Sequence, residues 1–320
     1  MANKNQIRIY LNIIRRAASL LEAELDKDGG TFEELFEQEK TVSKPQIVEQ
    51  KLVAPKIEKV EIEEPIVNRQ NYIDNLMSMD SWPEIMPQHL IVTPNDEDQK
   101  HRASSVLDMI LNESIEGLNC LDYGCGEGWI TKEFKKRGAK EAVGYDLQKD
   151  EKWESFTGID FVTSVNDLPK KHFDIILLYD VLDHCVDTES VMNNILMLLK
   201  DTGVVYVRCH PWTSKHATHL IKQGLNKAYI HMFLSWSEIE SLTGKKPVFT
   251  RKEKDPMRSY MWWFRDFKVE KQTKITEPVS DFFKNKEIKD MLSKEQDVSN
   301  IEEFLKNMSL QFVDFKLRHK

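Results

Sequence analysis

The chain has 320 residues, 40% of them apolar and 9% aromatic, which is enough for a sizeable core, and a net charge of −8 that argues against a general nucleic-acid-binding surface. It contains no apolar run of about 18 residues able to span a membrane, and no signal-peptide core follows Met1, so a cytoplasmic protein is expected. Its four cysteines, Cys120, Cys125, Cys185 and Cys209, form no C-x-x-C pair, so neither a metal centre nor a disulfide framework is expected.

Residues 5–27 carry Ile7, Leu11, Ile14, Ala18, Leu21 and Leu25 at the spacing of a helical apolar seam. With a second short helix, they make residues 1–39 an N-terminal amphipathic helical segment. The seam suits self-association, docking on a partner protein or packing on the chain's own body. Residues 40–69 are charged and contain proline but no glycine, and read as an extended linker. A globular domain is expected over 70–320, opening with helical stretches at 70–80 and 97–112.

From residue 118 onward, short apolar runs alternate with helical stretches. LNCLDY, EAVGYDL, IDFVTS, FDIILLY and GVVYVRC read as buried strands, and the rhythm predicts an α/β fold with a parallel sheet covered on both faces. Between the first strand and its helix lies GCGEG. It holds three of the chain's 12 glycines, Gly124, Gly126 and Gly128. Glycines at a strand–helix junction let the backbone turn tightly or approach a ligand closely, and Asp146, at the end of the next strand, could accept both hydroxyls of a ribose.

LDYGCGEG resembles motif I of the class I S-adenosylmethionine-dependent methyltransferases, and VGYDL resembles their second motif. FDIILLYDVLDHCVD is similar to their fourth-strand motif, and LLKDTGVVYVRC to their fifth strand. The resemblance covers roughly residues 98–243, with four motifs in order. Over RCHPWTSKHATHL and NKAYIHMFLSWSEI the chain is similar to bacteriophage-encoded members of the family. The resemblance implies a Rossmann-like seven-stranded sheet whose antiparallel last strand, MSLQFVDFKL, lies between the fifth and the sixth, FKVEKQTKI. It implies S-adenosylmethionine as cofactor. Asp122, Gly124, Cys125, Gly126 and Gly128 would hold its methionine and ribose side, Asp146 the ribose and Leu147 the adenine, with Tyr179 close by. Ser164 stands where the family often has an acidic residue for the adenine amino group.

Methyl transfer needs alignment above all, and a base only where the acceptor must lose a proton. His184 and Asp180, after the fourth strand, are the candidate catalytic residues; Asp183-His184 could equally cap and pack the next helix. The segment 210–234 reads as a lid over the acceptor, with His210, Trp212 and His231 as candidate substrate contacts. Four histidines there match no simple ligand spacing, so no metal is expected. Ser235 and Glu238 form a capping-box pattern that starts a helix. Met261-Trp262-Trp263-Phe264 at helical spacing suits core packing.

Residues 208–275 hold 14 Lys+Arg against 6 Asp+Glu, leaving −16 for the rest of the chain. A basic rim of this kind would attract an anionic small-molecule, nucleotide or glycan acceptor. The sequence after strand four lacks the tetrad and the Pro-Cys pair of DNA base methylases, which argues against DNA. Other readings are a structural or assembly module tethered by the N-terminal helix, and an RNA- or protein-directed methylase.

Overall fold

Seven strands form one mixed sheet: β1 Asn119–Tyr123, β2 Glu141–Tyr145, β3 Asp160–Val162, β4 Phe173–Tyr179, β5 Leu199–Cys209, β6 Phe267–Thr276 and β7 Leu310–His319. Their order is β3-β2-β1-β4-β5-β7-β6. The first five run parallel, and β7 pairs antiparallel with both β5 and β6. This is the Rossmann-like seven-stranded methyltransferase sheet expected from the sequence, with the last strand inserted where the resemblance places it. The computed structural model describes residues 66–85, 95–111, 113–215, 217, 219–246 and 252–320. The expected N-terminal helices and nearly all of the linker fall outside these residues. The described elements belong to a compact unit, Glu64–Lys320, and its first helix starts at Ile66, inside the segment read as linker.

Eight helices are described: α1 Ile66–Ser78, α2 Asp96–Ile110, α3 Trp129–Lys136, α4 Thr188–Leu198, α5 Trp236–Thr243, α6 Pro256–Trp263, α7 Lys286–Gln296 and α8 Ile301–Met308. None is long and apolar enough to cross a membrane. Side chains alternate across each strand, so one sheet face (Leu121, Ile176, Leu178, Val205, Val207) packs against α4 and α6. The other (Cys120, Ala142, Ile175, Leu177, Val204) packs against α2 and α3. Coverage on both sides explains why the parallel strands read as unbroken apolar runs.

The two faces of strand β7 differ. Gln311, Val313, Phe315 and Leu317 make a fully buried row. On the opposite row, however, Asp314 takes a bidentate bond from Arg208, at 2.6 Å to each oxygen, and Lys316 pairs with Glu113 at 2.6 Å. Burying Arg208 on β5 required a carboxylate on the neighbouring strand, and Asp314 lies directly across from it.

The expected lid is a larger structure with its own core. Trp212, Ile230 and Phe233 from the segment after β5 pack with Leu76 of α1 and Trp82 just after it, and with Phe283, Leu292 of α7 and Phe304 of α8. Three separate stretches of chain therefore build this cap. Arg69 joins them, donating to both carboxylate oxygens of Glu238 (2.7 and 3.0 Å), to Glu295 (2.5 Å) and to the Phe233 carbonyl (3.1 Å). Hydrogen bonding to Arg69 holds the Glu238 carboxyl down at about 2. Ser235 and Glu238 also form the expected capping box at the start of α5.

Candidate active site

In open α/β sheets, ligands bind at the carboxyl ends of the strands where the order of winding reverses. Here that point lies between β1 and β4, because the chain moves from β1 outward to β2 and β3, then returns to β4 beside β1. The glycine loop follows β1. Its amides at Gly124 and Cys125 donate to the Tyr145 carbonyl at the end of β2 (2.7 and 2.9 Å). Gly126 donates its N–H to Asp146 Oδ2 (2.9 Å), and its carbonyl accepts from the Trp153 indole (2.8 Å). The loop is thus held rigid before any ligand arrives.

The three glycines are needed for different reasons. All have positive φ, at +86°, +52° and +85° in chain order, which disfavours any side chain. A Cβ on Gly124 would lie 2.5 Å from Val181, and one on Gly128 would lie 2.7 Å from the Phe161 ring, so these two serve packing beneath the loop. Only Gly126 faces open space, with nothing within 4 Å of a Cβ built there. Of the three glycines expected to line the cofactor, Gly126 is the one whose Cβ direction is open. Cys125 also turns inward: its Sγ lies 2.9 Å from a Cβ built on Gly144 of β2, and burial pushes its thiol far up.

Beside Gly126 stand Asp146, half-buried, and Leu147, 79% exposed. Under the loop, Asp122 is 2% exposed and accepts from Thr131 Oγ1 on α3 at 2.8 Å. Burial pushes its carboxyl up to about 7, against the pull of that bond. A carboxyl raised in the fold contributes stability below its unfolded value, near 4, and loses it as pH rises through about 7. Asp122→Asn keeps an acceptor for Thr131 and removes the buried charge. It is expected to stabilise the protein at pH 8 by about 2 kcal/mol, roughly 4–8 °C in melting midpoint, with a smaller gain at pH 5. Thermal melts at the two pH values check this.

Ser164 is engaged locally, accepting from the Asn166 amide (3.3 Å) as the cap of a short 3-10 turn. Tyr179 is also taken up: its ring lies under the guanidinium groups of Arg102 (5.0 Å) and Arg208 (5.5 Å). Arg102 was not singled out from the sequence, because nothing local marks a residue of α2 as facing the end of β4.

Asp180, the first residue after β4, has φ of +56°, a conformation uncommon outside glycine. Its N–H donates to the Arg208 carbonyl (3.1 Å). Its Oδ1 is buried and receives no hydrogen bond among the described residues. Burial pushes this carboxyl up to about 6, while Arg102 and Arg208 pull it down. A strained backbone and an unpartnered buried oxygen at a ligand crevice are two independent marks of a working residue.

Asp183 is structural: its Oδ2 accepts from the His210 amide (2.6 Å) and its Oδ1 from the Tyr260 hydroxyl (3.3 Å), tying β4 to β5 and α6. His184 is half-buried, its ring 5.4 Å from that of His219, which in turn lies 5.5 Å from His210. His210 itself is 1% exposed, bonded to Ser214 Oγ (2.7 Å), with its ring tilted against that of Phe312 at 4.8 Å. Trp212 and His231, expected to touch substrate, are each 1% exposed and pack edge to face at 5.4 Å inside the cap core. His231 Nε2 bonds the Trp212 carbonyl (2.8 Å). Polar residues in a loop-like sequence look exposed; here they satisfy a buried turn. Among the described residues no group of three His, Cys, Asp or Glu side chains is arranged to hold a metal ion.

Several cations of the expected basic rim are already paired. Arg208 is spent on Asp314, Arg265 on Glu189 and Lys215 on Glu277. Lys268, Lys271 and Lys274 lie on β6, a strand at the edge of the sheet. Of the aromatic run, Trp263 and Phe264 enter the core, while Met261 and Trp262 are 46% and 63% exposed.

The crevice fits S-adenosylmethionine. Gly126 leaves room for close approach, Asp146 presents a carboxylate for paired hydroxyls, and Leu147 offers an exposed apolar surface. Residues 96–253, just under half of the chain, match a family model described as a methyltransferase domain. Ubiquinone biosynthesis O-methyltransferases match over a shorter stretch. That of Rhodopseudomonas palustris is 31% identical over 107 residues, 29% of this chain and 40% of its own length. The Bradyrhizobium diazoefficiens enzyme is 31% identical over 105 residues, with the same coverage. The chain thus spans about 40% of the length of these curated relatives. Among solved structures, the PH0226 protein of Pyrococcus horikoshii overlays 73% of this chain and 96% of its own, at 14% identity and a TM-score of 0.47. Over residues 96–253 the chain is thus similar to methyltransferase domains.

Proposed function

We propose that the protein transfers a methyl group from S-adenosylmethionine to an oxygen or nitrogen of a small-molecule, nucleotide or glycan acceptor. The observation that carries this reading is Gly126. Its open face and its bond to Asp146 sit together at the carboxyl ends of β1 and β2. Gly126, Asp146 and Leu147 hold the cofactor, and Asp122 supports the loop from below. The O-methyltransferase relatives favour an oxygen acceptor.

When bound, S-adenosylmethionine supplies an electrophilic methyl on a sulfonium sulfur, displaced in line by an acceptor lone pair to leave a neutral thioether. The chain's own work is alignment and proton removal. Asp180 at about 6 is ionised at neutral pH, and its unpartnered Oδ1 can take the acceptor's proton. His184, beside His219, is the second group able to take it. Titrating S-adenosylmethionine into full-length protein by calorimetry tests the reading: saturable binding is expected, and no heat of binding would contradict it.

A further inference from the structure

The glycine loop is gripped from behind by a piece of chain that carries no motif. Between β2 and β3 lies one 3-10 turn, Glu151–Ser155, capped by Asp150, whose side chain accepts from the Lys152 amide (2.9 Å). Two consecutive residues of this turn reach two consecutive residues of the loop. Trp153 donates its indole N–H to the Gly126 carbonyl (2.8 Å), and Lys152 pairs with Glu127 Oε2 (2.7 Å). The Lys152 ammonium also pairs with Asp96 (2.9 Å), the first residue of α2, and so straps the loop to that helix. The turn is itself seated on rings. Trp153 stacks on Phe161 of β3, with centroids 4.8 Å apart and planes 11° from parallel. Phe156, its C-terminal cap, meets Trp129 of α3 edge to face at 5.1 Å, and Trp129 in turn donates to Glu127 Oε2 (2.9 Å).

These contacts converge on Gly126. It has no side chain to hold it, its φ is +52°, and the space beside it is open. Its position therefore rests on its two peptide groups. Asp146 holds the N–H on one side, and Trp153 holds the carbonyl on the other. Ordering a backbone opposes binding when the ligand must do it, and no longer does so when the fold has done it already. Taking the methyltransferase reading as its basis, we propose that Trp153 is a positioning residue for the cofactor. Through the Gly126 carbonyl it holds the loop against Asp146 in the arrangement that receives S-adenosylmethionine, and Lys152 is its strap. Trp153 is 6% exposed and acts through the loop.

The test compares full-length wild type, Trp153→Phe and Lys152→Gln. Trp153→Phe keeps an aromatic ring against Phe161 and removes the indole donor. Calorimetry with S-adenosylmethionine and S-adenosylhomocysteine, well below the melting midpoint, gives the affinities. Hydrogen exchange of the amides of residues 124–128 without ligand gives the order of the loop. Trp153→Phe should bind both ligands about three- to tenfold more weakly, by factors within about twofold of each other, because the loop meets a part that they share. Its loop amides should exchange roughly three- to tenfold faster. Lys152→Gln should weaken binding about two- to fivefold, as loss of a partly exposed ion bridge allows. A purely structural tryptophan would lower the melting midpoint and leave affinity and loop exchange as they are. Wild-type affinity in a folded Trp153→Phe overturns the inference, as does a loss confined to one of the two ligands. Where Trp153→Phe does not fold, Lys152→Gln decides by the same criteria. If wild type binds neither ligand, the methyltransferase reading falls and loop exchange alone judges the clamp: faster in Trp153→Phe upholds it, and unchanged overturns it.

Discussion

Asp180→Asn is expected to lower turnover by roughly 10²–10⁴-fold while leaving cofactor affinity near that of wild type. Asparagine tolerates the left-handed backbone conformation that position 180 adopts at φ +56°, so the variant should fold. It removes a buried carboxylate that has no hydrogen-bond donor on Oδ1, so stability at pH 7.5 should not fall. What it loses is the ability to accept a proton. In wild type the rate should rise as pH increases through about 6, because the protonated carboxyl cannot act as a base, and then level off. The readout is S-adenosylhomocysteine released with a small-molecule extract that supports turnover. His184→Ala is the companion variant. If its loss of turnover is the large one and Asp180→Asn is nearly normal, the proton goes to His184.

A chain ending at Asn307 is expected to be insoluble or unfolded. It lacks β7, which pairs on one side with β5 from Val205 to Cys209 and on the other with β6 along its whole length. Val313, Phe315 and Leu317 are at most 2% exposed, and burial of each such side chain contributes about 1.5–3 kcal/mol. Removal of Asp314 also leaves Arg208, whose side chain is only 5% exposed, as a buried charge without its partner. That alone costs on the order of 3–5 kcal/mol. Together these losses match or exceed the total stability of a typical domain, about 5–15 kcal/mol. Expression of the truncated chain followed by sedimentation checks this; a soluble truncated protein that still binds cofactor would contradict it.

Much of the sheet was legible because parallel strands covered on both faces must be largely apolar, and β1, β2, β4 and the second half of β5 announce themselves that way. The capping box at Ser235 was legible because it is a purely local pattern. The cap was not. Its core joins residues 73–85, 212–239 and 279–308, amphipathic pieces whose partners lie far apart in sequence. Arg208 and Asp314 are 106 residues apart, so only the register of β5 on β7 reveals the pair. Trp212 and His231 looked like substrate contacts because a His-rich turn reads as exposed, yet their bonds to one another are those of a buried turn. Within the glycine loop, the spacing signalled tight backbone but could not say that Val181 and Phe161 fill the space in front of Gly124 and Gly128.

The claim on which the rest depends is that Gly126, Asp146 and Leu147 form the cofactor crevice. Calorimetric titration of S-adenosylmethionine into wild type and Asp146→Ala, side by side, tests it most directly. The carboxylate's paired hydrogen bonds to a ribose predict a weakening of about 2–4 kcal/mol, roughly 30- to 1000-fold. Binding of equal strength by Asp146→Ala and wild type would contradict the assignment.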